Sequence, residues 1–294
     1  MTYSIVAVDL AASLVGVAAQ SHHLAVGARL AFADPHLGAV AVQSYAEREY
    51  GPAVLDGLRT GRTPIGALAH AVGLDRRASR AQVAVVSADG EAAAHTGLRC
   101  VPAAGHVTGI GVSVQANMAA TPDVWQACLD AFTSANGRLA TRLLAGLDAA
   151  EAAGGDLRGR QSAVLLVAGT DGTRIDVRVD DGPEPLAELR RLVTLQYAAT
   201  EMSRAFEVAR AGGVAEAVAM LVAAQADYGP DNLEPTVWAA VLLARSGDTA
   251  TAGELMARAM ARHHGWAEFI RRLARADLVP DDPAILAEIT GTPP

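Results

Sequence analysis

The 294-residue chain contains no lysine, so all 24 of its basic residues are arginine. This absence excludes Schiff-base catalysis, a lysine general base and the lysine of a Walker-type phosphate loop. The two cysteines, Cys100 and Cys128, are too few for a disulfide scaffold. Neither stands in a CxxC pair, which would have indicated metal or redox chemistry.

Positive charge is scarce as well, because 32 acidic residues outweigh the 24 arginines and give a net charge of −8. Nucleic-acid binding needs a basic face that neutralises phosphates, so we expect no nucleic-acid partner. No apolar run approaches the roughly 18 residues of a membrane helix. The chain carries no basic residue before Arg29, unlike a signal peptide. The sequence predicts a soluble, cytoplasmic protein that does not enter a membrane.

Strand-like and helix-like segments alternate in groups over the first two thirds of the chain. Three strands (SIVAV, LVGVAA and GAVAVQ) precede two helices that begin near Pro52 and Pro64. Three strands, two further helices and a last pair of strands (QSAVLLVAG and RIDVRVD) follow, and Thr170 to Thr173 (TDGT) is a hairpin signal between that last pair. Strands in hairpins and helices in pairs predict two sheets stacked face to face, each covered by a helical layer.

The sequence pattern is helical from Pro185 onward and contains an internal repeat. Residues Ala209 to Ala224 align with Ala244 to Ala259 at an offset of 35. This period is typical of tetratricopeptide-type helical hairpins, and chance similarity between two alanine-rich helices is the alternative. We predict two domains, at residues 1–198 and at residues 199–294, of which the second is the helical repeat-like one.

Polar residues at strand ends and glycine-rich turns are the candidates for chemistry. Gln115 and Asn117 are two residues apart, so a strand directs both to one face, where their amides can donate to a developing oxyanion. Their alternative role is to satisfy turn backbone groups. Asp156, Arg158 and Arg160 lie at a helix-to-strand junction, where they can hold a substrate carboxylate or form an ion-pair network that fixes the loop.

The chain starts MTYSIVAVD, which places Thr2 directly before a predicted strand. Methionine aminopeptidase removes Met1 when the next side chain is small, and this would give Thr2 a free α-amine. Such an amine has a pKa near 7.7–8.0, so part of it is neutral at physiological pH and can take the hydroxyl proton. Thr2 is therefore a candidate N-terminal nucleophile, and an ordinary second residue is the alternative.

The histidines do not indicate a metal site. The spacing of His22, His23, His95 and His106 matches no known ligand pattern, and no HExxH motif is present. We predict neither a metal nor another cofactor.

Several of these segments resemble a known family. They are TYSIVAVD, GAVAVQS, AAHTG, GHVTGIGVSVQANM, GGDLRGRQSAVLLV and DVRVDDGPEPLAELRRL, which span residues 2 to about 195. The family is domain-of-unknown-function family 1028, which is classed with the N-terminal-nucleophile hydrolases. The resemblance implies a four-layer αββα sandwich and a nucleophile at the start of the first strand, which is Thr2 here. Residues 200–290 resemble a helical tail of some members, described as peptidoglycan-binding.

The chain departs from this family pattern beside the expected nucleophile. Where members show serine followed by a basic residue and aromatics, this chain has Ser21, His22 and His23. Related threonine enzymes use a lysine beside the nucleophile. With no lysine in the chain, the resemblance leaves that task to the α-amine, to His22 or to a nearby arginine.

Together these features predict an amide or acyl hydrolase that acts on a small-molecule or peptide amide. The expected catalytic residues are Thr2, Asn117 and His22, and the expected substrate-binding residues are Gln115, Asp156, Arg158, Arg160 and His95. The alternative is a non-catalytic module that keeps the fold and binds a peptide, a glycan, a peptidoglycan fragment or a protein. A structural homo-oligomer, in which Thr2 has no special role, is the third hypothesis.

Overall fold

Alternating β-branched and small apolar residues form ten strands in the first part of the chain, up to Val193. The computed structural model describes residues 2–73 and 77–291. The strands are β1 Thr2–Asp9, β2 Leu14–Ser21, β3 Ala31–Asp34, β4 Gly38–Ser44, β5 Ala81–Ser87, β6 Ala92–Thr96, β7 Gly105–Gly109, β8 Val112–Asn117, β9 Ser162–Gly169 and β10 Arg174–Val179.

The helices of this first unit lie between its groups of strands. They are α1 Gly27–Leu30, α2 Tyr50–Arg59, α3 Pro64–Gly73, α4 Val124–Ser134 and α5 Leu139–Ala152, with a short 3-10 turn at Ala78–Arg80. The long helix α6 Pro185–Arg210 follows β10. The prediction of a mixed α and β fold with a helical C-terminal region is confirmed.

The strands form two antiparallel sheets. The six-stranded sheet has the order β10-β9-β2-β1-β8-β7, and the four-stranded sheet has the order β3-β4-β5-β6. Successive strand residues point to opposite faces. Val6 and Val17 of the six-stranded sheet therefore pack between the sheets against Ala41 and Ala84 of the four-stranded sheet. The two sheets share one apolar core.

Each sheet packs a helical pair against its other face. Helices α4 and α5 cover the six-stranded sheet, where Ile5 of β1 points towards α5. Helices α2 and α3 cover the four-stranded sheet, where Val54 and Leu68 pack against Val40 and Val83. The helices form there because their apolar residues recur at helical spacing and face the sheet.

Three short elements did not appear in the sequence prediction. Strands β3 and β7 have four and five residues, and both lie at sheet edges. Their residues are only partly buried or exposed, so the alternation that marks a half-buried strand is weak. Helix α1 has four residues, too few for a periodic pattern. The hairpin signal was correct, since β9 and β10 pair as antiparallel neighbours.

The second unit begins at Thr194, inside α6, and is helical throughout the residues that are described. Its further helices are α7 Val214–Tyr228, α8 Glu234–Ser246, α9 Thr249–Arg262, α10 Gly265–Ala274 and α11 Pro283–Thr290. The repeat noted in the sequence has matching geometry. Helices α7 and α9 begin 35 residues apart, and each follows a turn whose glycine, Gly212 or Gly247, has φ of 95° or 94°.

Within residues 2–73 and 77–291, no helix combines the length and the apolar character required to cross a membrane.

Gly38 begins β4, the strand that carries a glutamine of the candidate site, and its φ is +143°. A Cβ at this position would lie 2.2 Å from the Val86 carbonyl oxygen. We expect Gly38→Ala to lower the free energy of unfolding by about 1–3 kcal/mol through backbone strain, with a further loss from the contact. Gly61→Ala is the control, because Gly61 also has positive φ but nothing within 4 Å of the added Cβ. Urea denaturation of both variants measures the difference, and equal losses would contradict the clash.

Candidate functional site

A cavity of about 390 Å³ lies at the end of the sheets where β1 begins. Its wall combines hydroxyl, amide and guanidinium groups from four strand ends, helix α1 and three loops. The polar and charged residues that line it are Thr2, Ser21, His23, Arg29, Gln43, Ser44, Tyr45, Glu47, Arg48, Asn117 and Arg158. A concave site with convergent polar groups is where a ligand is expected to bind.

A larger cavity of about 690 Å³ is lined by residues of α2 and α3, among them Asp56 and His70. It is more open to solvent, and it meets the first cavity at Glu47, which lines both. Its lining reaches Arg77, next to residues 74–76, which lie outside the described residues. The smaller cavity contains Thr2 and Asn117, the expected nucleophile and oxyanion donor, and it is the candidate site.

Thr2 lies in the wall of this cavity because of the strand register. It pairs with Ser21 on β2 and with Asn117 on β8, so residues from three adjacent strands meet at one end of the sheet. The Thr2 Oγ1 atom lies 2.9 Å from the Ser21 Oγ atom, within hydrogen-bond distance. Thr2 is 8% exposed. Its hydroxyl is therefore held in place beside a space that a ligand can enter.

Two glutamines of the four-stranded sheet connect the cavity wall to the space between the sheets. Gln43 donates from Nε2 to the Thr2 carbonyl at 3.2 Å and to Gln82 Oε1 at 2.7 Å. Gln82 is fully buried, and its Oε1 atom also accepts a hydrogen bond of 3.0 Å from Asn117 Nδ2. Gln82 thus joins Gln43 and Asn117, which both line the cavity.

The predicted pair Gln115 and Asn117 divides between two environments. Both side chains are buried and point between the sheets, as their spacing on β8 requires. Asn117 lines the cavity, whereas Gln115 does not and donates from Nε2 to Ser4 Oγ at 2.5 Å. Asn117 is thus placed near Thr2, and Gln115 lies one step deeper along the same face.

Asp156 fixes the loop that carries Arg158. The Asp156 carboxylate is buried and accepts hydrogen bonds from the backbone N–H groups of His22 and Arg158, both at 2.9 Å. It also pairs with the Arg158 guanidinium, at 3.3 Å from Nε and 3.2 Å from the terminal nitrogen. Arg158 lines the cavity, and Asp156 contributes by holding that arginine and the His22 backbone.

The remaining predicted residues lie away from the cavity wall. Arg160 binds Glu184 at 2.5 Å and approaches Glu151 at 3.6 Å. The His95 ring, on β6, lies 2.9 Å from the Ala78 carbonyl oxygen. His22 is exposed and contributes its backbone N–H, while the next residue, His23, lines the cavity.

Sequence reasoning did not identify several residues of the wall. Ser21 stands in no GxSxG elbow, and no local pattern marks it as the partner of the Thr2 hydroxyl. Gln43 and Gln82 sit in otherwise apolar strands, and that exception to the pattern is the signal that could have marked them. Arg29 and Arg48 lie in a four-residue helix and a loop, and no local pattern distinguishes them from surface arginines.

A second buried polar cluster lies on the other face of the six-stranded sheet. The Tyr3 hydroxyl donates to Glu151 at 2.7 Å, and Gln20 Nε2 donates to both groups at 2.6 Å. Burial, and then the neighbouring Glu151 carboxylate, raise the pKa of Tyr3 far above its usual range. Tyr3 therefore stays protonated and anchors α5 to β1.

No group of three or more histidine, cysteine, aspartate or glutamate side chains is arranged to hold a metal ion within the part of the chain that the structure describes.

The comparisons with known proteins agree with one another. The family model that matches is described as a family of unknown function (DUF1028), and the match covers residues 2–189. A crystal structure of protein SPO2555 from Silicibacter pomeroyi, assigned to the same family model, is similar to this chain with a TM-score of 0.63 and 34% sequence identity. The alignment covers 65% of this chain and 84% of that one. No functionally curated protein matches this chain.

Gln82 provides a test of the buried network. Gln82→Met keeps a side chain of similar size but leaves the N–H groups of Gln43 and Asn117 without their common acceptor. We expect the free energy of unfolding to fall by about 1–3 kcal/mol, since a buried donor that loses its partner keeps its desolvation cost. Gln126→Met is the control, because Gln126 is exposed and its amide donates to Asp130 at the helix surface; a change within about 0.5 kcal/mol is expected there. Similar losses in urea denaturation would contradict the role of Gln82.

Proposed function

We propose that this chain, which belongs to the DUF1028 family, is an amide or acyl hydrolase that uses Thr2 as an N-terminal nucleophile after removal of Met1. The observation that carries the proposal is the position of the Thr2 hydroxyl. It lies in the wall of a polar cavity at the first residue of β1, 2.9 Å from Ser21 Oγ. The order of helices, sheet, sheet and helices supports assignment to the N-terminal-nucleophile αββα class, which the family resemblance implies.

The first step is the attack of Thr2 Oγ1 on the substrate carbonyl. The α-amine of Thr2 takes the hydroxyl proton, either directly or through a water molecule, as the oxygen–carbon bond forms. The proton then passes to the leaving amine, the carbon–nitrogen bond breaks, and an ester links the acyl group to Thr2. Water attacks this ester with the α-amine again as base, which releases the acid and restores the Thr2 hydroxyl.

The α-amine is the base that best fits the wall of the cavity. His22 does not line the cavity. His23 does, with its Nδ1 atom 2.7 Å from the Leu24 carbonyl oxygen, but the hydrogen bond of the Thr2 hydroxyl is to Ser21 and not to His23. The arginines stay protonated at any working pH and cannot accept the proton. Ser21 holds the Thr2 hydroxyl through their mutual hydrogen bond.

Asn117 is the proposed oxyanion donor. One N–H of its side-chain amide bonds Gln82, and an amide nitrogen carries two. Because Asn117 lines the same cavity as Thr2, the second N–H is the proposed donor to the negative oxygen of the tetrahedral intermediate. Gln82 fixes the orientation of the amide before the substrate arrives, so little reorganisation accompanies the reaction.

We further propose a tetratricopeptide-like domain for residues 199–294. The two copies of the repeat have helices that begin 35 residues apart, and the preceding glycines have nearly equal φ angles. Aspartate caps the second of these helices through Asp248, which accepts a hydrogen bond from the Thr251 backbone N–H at 3.1 Å. Helical hairpins of this kind present a surface for other molecules, so the non-catalytic alternative would assign the function to this domain.

Two measurements test the hydrolase proposal. The intact mass of protein from a host with active methionine aminopeptidase is expected to lack one methionine. Incubation with a β-lactone that acylates N-terminal nucleophiles is then expected to add one acyl group to the native protein, with Thr2 as the modified residue.

Substitutions at Thr2 separate the nucleophile from the fold. Thr2→Ala is expected to abolish acylation and the hydrolysis of any substrate found in an amide panel, because no hydroxyl remains. Thr2→Ser keeps the hydroxyl and a small second residue, so it should retain acylation. Ser21→Ala should slow acylation without abolishing it. Retention of Met1, or unchanged acylation of Thr2→Ala, would refute the mechanism.

A further inference from the structure

The cavity that contains Thr2 has an excess of positive charge in a protein whose net charge is −8. Three arginines line it, Arg29, Arg48 and Arg158, against one carboxylate, Glu47. Glu47 forms an ion pair with Arg77, which is not part of this wall. Arg158 forms an ion pair with the buried Asp156. The charges of these four groups are therefore compensated in pairs.

Arg29 and Arg48 have no such compensation. Within the described residues, no carboxylate lies within 4.0 Å of either guanidinium. Among the residues that the structure describes, the Arg48 guanidinium donates only from Nε, to the Ala28 carbonyl at 3.1 Å, which leaves its two terminal nitrogens for a ligand. Two guanidinium groups without a carboxylate partner therefore line one cavity wall, where both can bind an anion.

The backbone beneath these two arginines is fixed. Ser162 donates from Oγ to the His23 carbonyl at 2.5 Å and accepts from the Val26 N–H at 3.2 Å, which holds the segment that enters α1. The Arg48 guanidinium lies 5.1 Å from the centre of the Phe32 ring. This cation–π contact and the Ala28 hydrogen bond place Arg48 against α1, the helix that carries Arg29.

We infer that Arg29 and Arg48 bind an anionic group, a carboxylate or a phosphate, of the molecule that occupies the cavity. If Thr2 is the nucleophile of the proposed function, the substrate class is then an amide or ester whose acyl part carries this anion. Guanidinium groups suit both anions because their N–H groups match two oxygens at once.

A pair of substrates that differ only in charge tests the substrate class. Glutaryl 4-nitroanilide carries a terminal carboxylate, and its terminal carboxamide analogue has nearly the same shape without the charge. We expect wild-type protein to favour the anionic probe in kcat/KM. In Arg29→Gln and Arg48→Gln this preference should fall by about tenfold, the effect of losing one charged hydrogen bond. Arg29→Lys and Arg48→Lys keep the charge and should retain part of the preference.

Binding measured in the Thr2→Ala variant makes the inference independent of turnover. Glutarate and inorganic phosphate, titrated by calorimetry at low salt, distinguish a carboxylate site from a phosphate site, and glutaramide is the neutral comparison. We expect one of the two anions to bind, and Arg48→Gln in the same background to weaken that binding about tenfold. Arg204→Gln removes one exposed arginine of the helical unit and controls for net charge; it should change neither binding nor substrate preference.

The outcomes separate this inference from the proposed function. Anion binding without hydrolysis of either probe would support the anion site and contradict the hydrolase proposal. Hydrolysis of both probes at equal rates, without anion binding, keeps the hydrolase and overturns the anion site. An equal loss of binding in Arg204→Gln would also overturn it, because the effect would then come from overall charge. Circular dichroism of each variant confirms that the fold is retained.

Discussion

The two sheets are joined at one end by side-chain amides, and the position of Thr2 depends on that network. Away from this end the sheets share an ordinary apolar core that includes Val6 and Ala41. At the Thr2 end the buried groups are Gln43, Gln82 and Asn117, and they hydrogen-bond across the gap, because a buried polar group without a partner costs free energy. The requirement for those bonds fixes the separation and register of the sheets where the cavity begins.

The register of β1 determines which chemistry appears on each of its faces. Thr2 and Ser4 point between the sheets and join the amides, whereas Tyr3 points to α5 and bonds Glu151. A shift of one residue would exchange these faces and would put a tyrosine in the cavity wall and two hydroxyls against the helix. The two polar clusters, one on each face of β1, therefore both disfavour this one-residue shift. Both contribute to holding Thr2 at the cavity.

The sequence predicts what local patterns determine, and it fails where partners come from distant segments. The alternation in β1 and the turn signal of the β9–β10 hairpin depend on a few neighbouring residues, and both were correct. The link from Gln43 through Gln82 to Asn117 joins three strands far apart in the chain, so no spacing reveals it. The same reason hides the convergence of Arg29 and Arg48. Both line one cavity, and the hydrogen bond from Arg48 to the Ala28 carbonyl joins the loop before α2 to α1.

Because the chain has no lysine, the cationic side chains that line the cavity are arginines, whose charge does not change with pH. An arginine keeps its proton throughout the pH range in which the fold exists, so Arg29 and Arg48 hold a constant positive charge beside Thr2. An α-amine titrates near neutral pH, and nearby positive charge favours its neutral form. In the proposed enzyme the arginines would therefore have two effects. They would attract an anionic substrate, and they would shift the amine of Thr2 towards the deprotonated state in which it can act as a base.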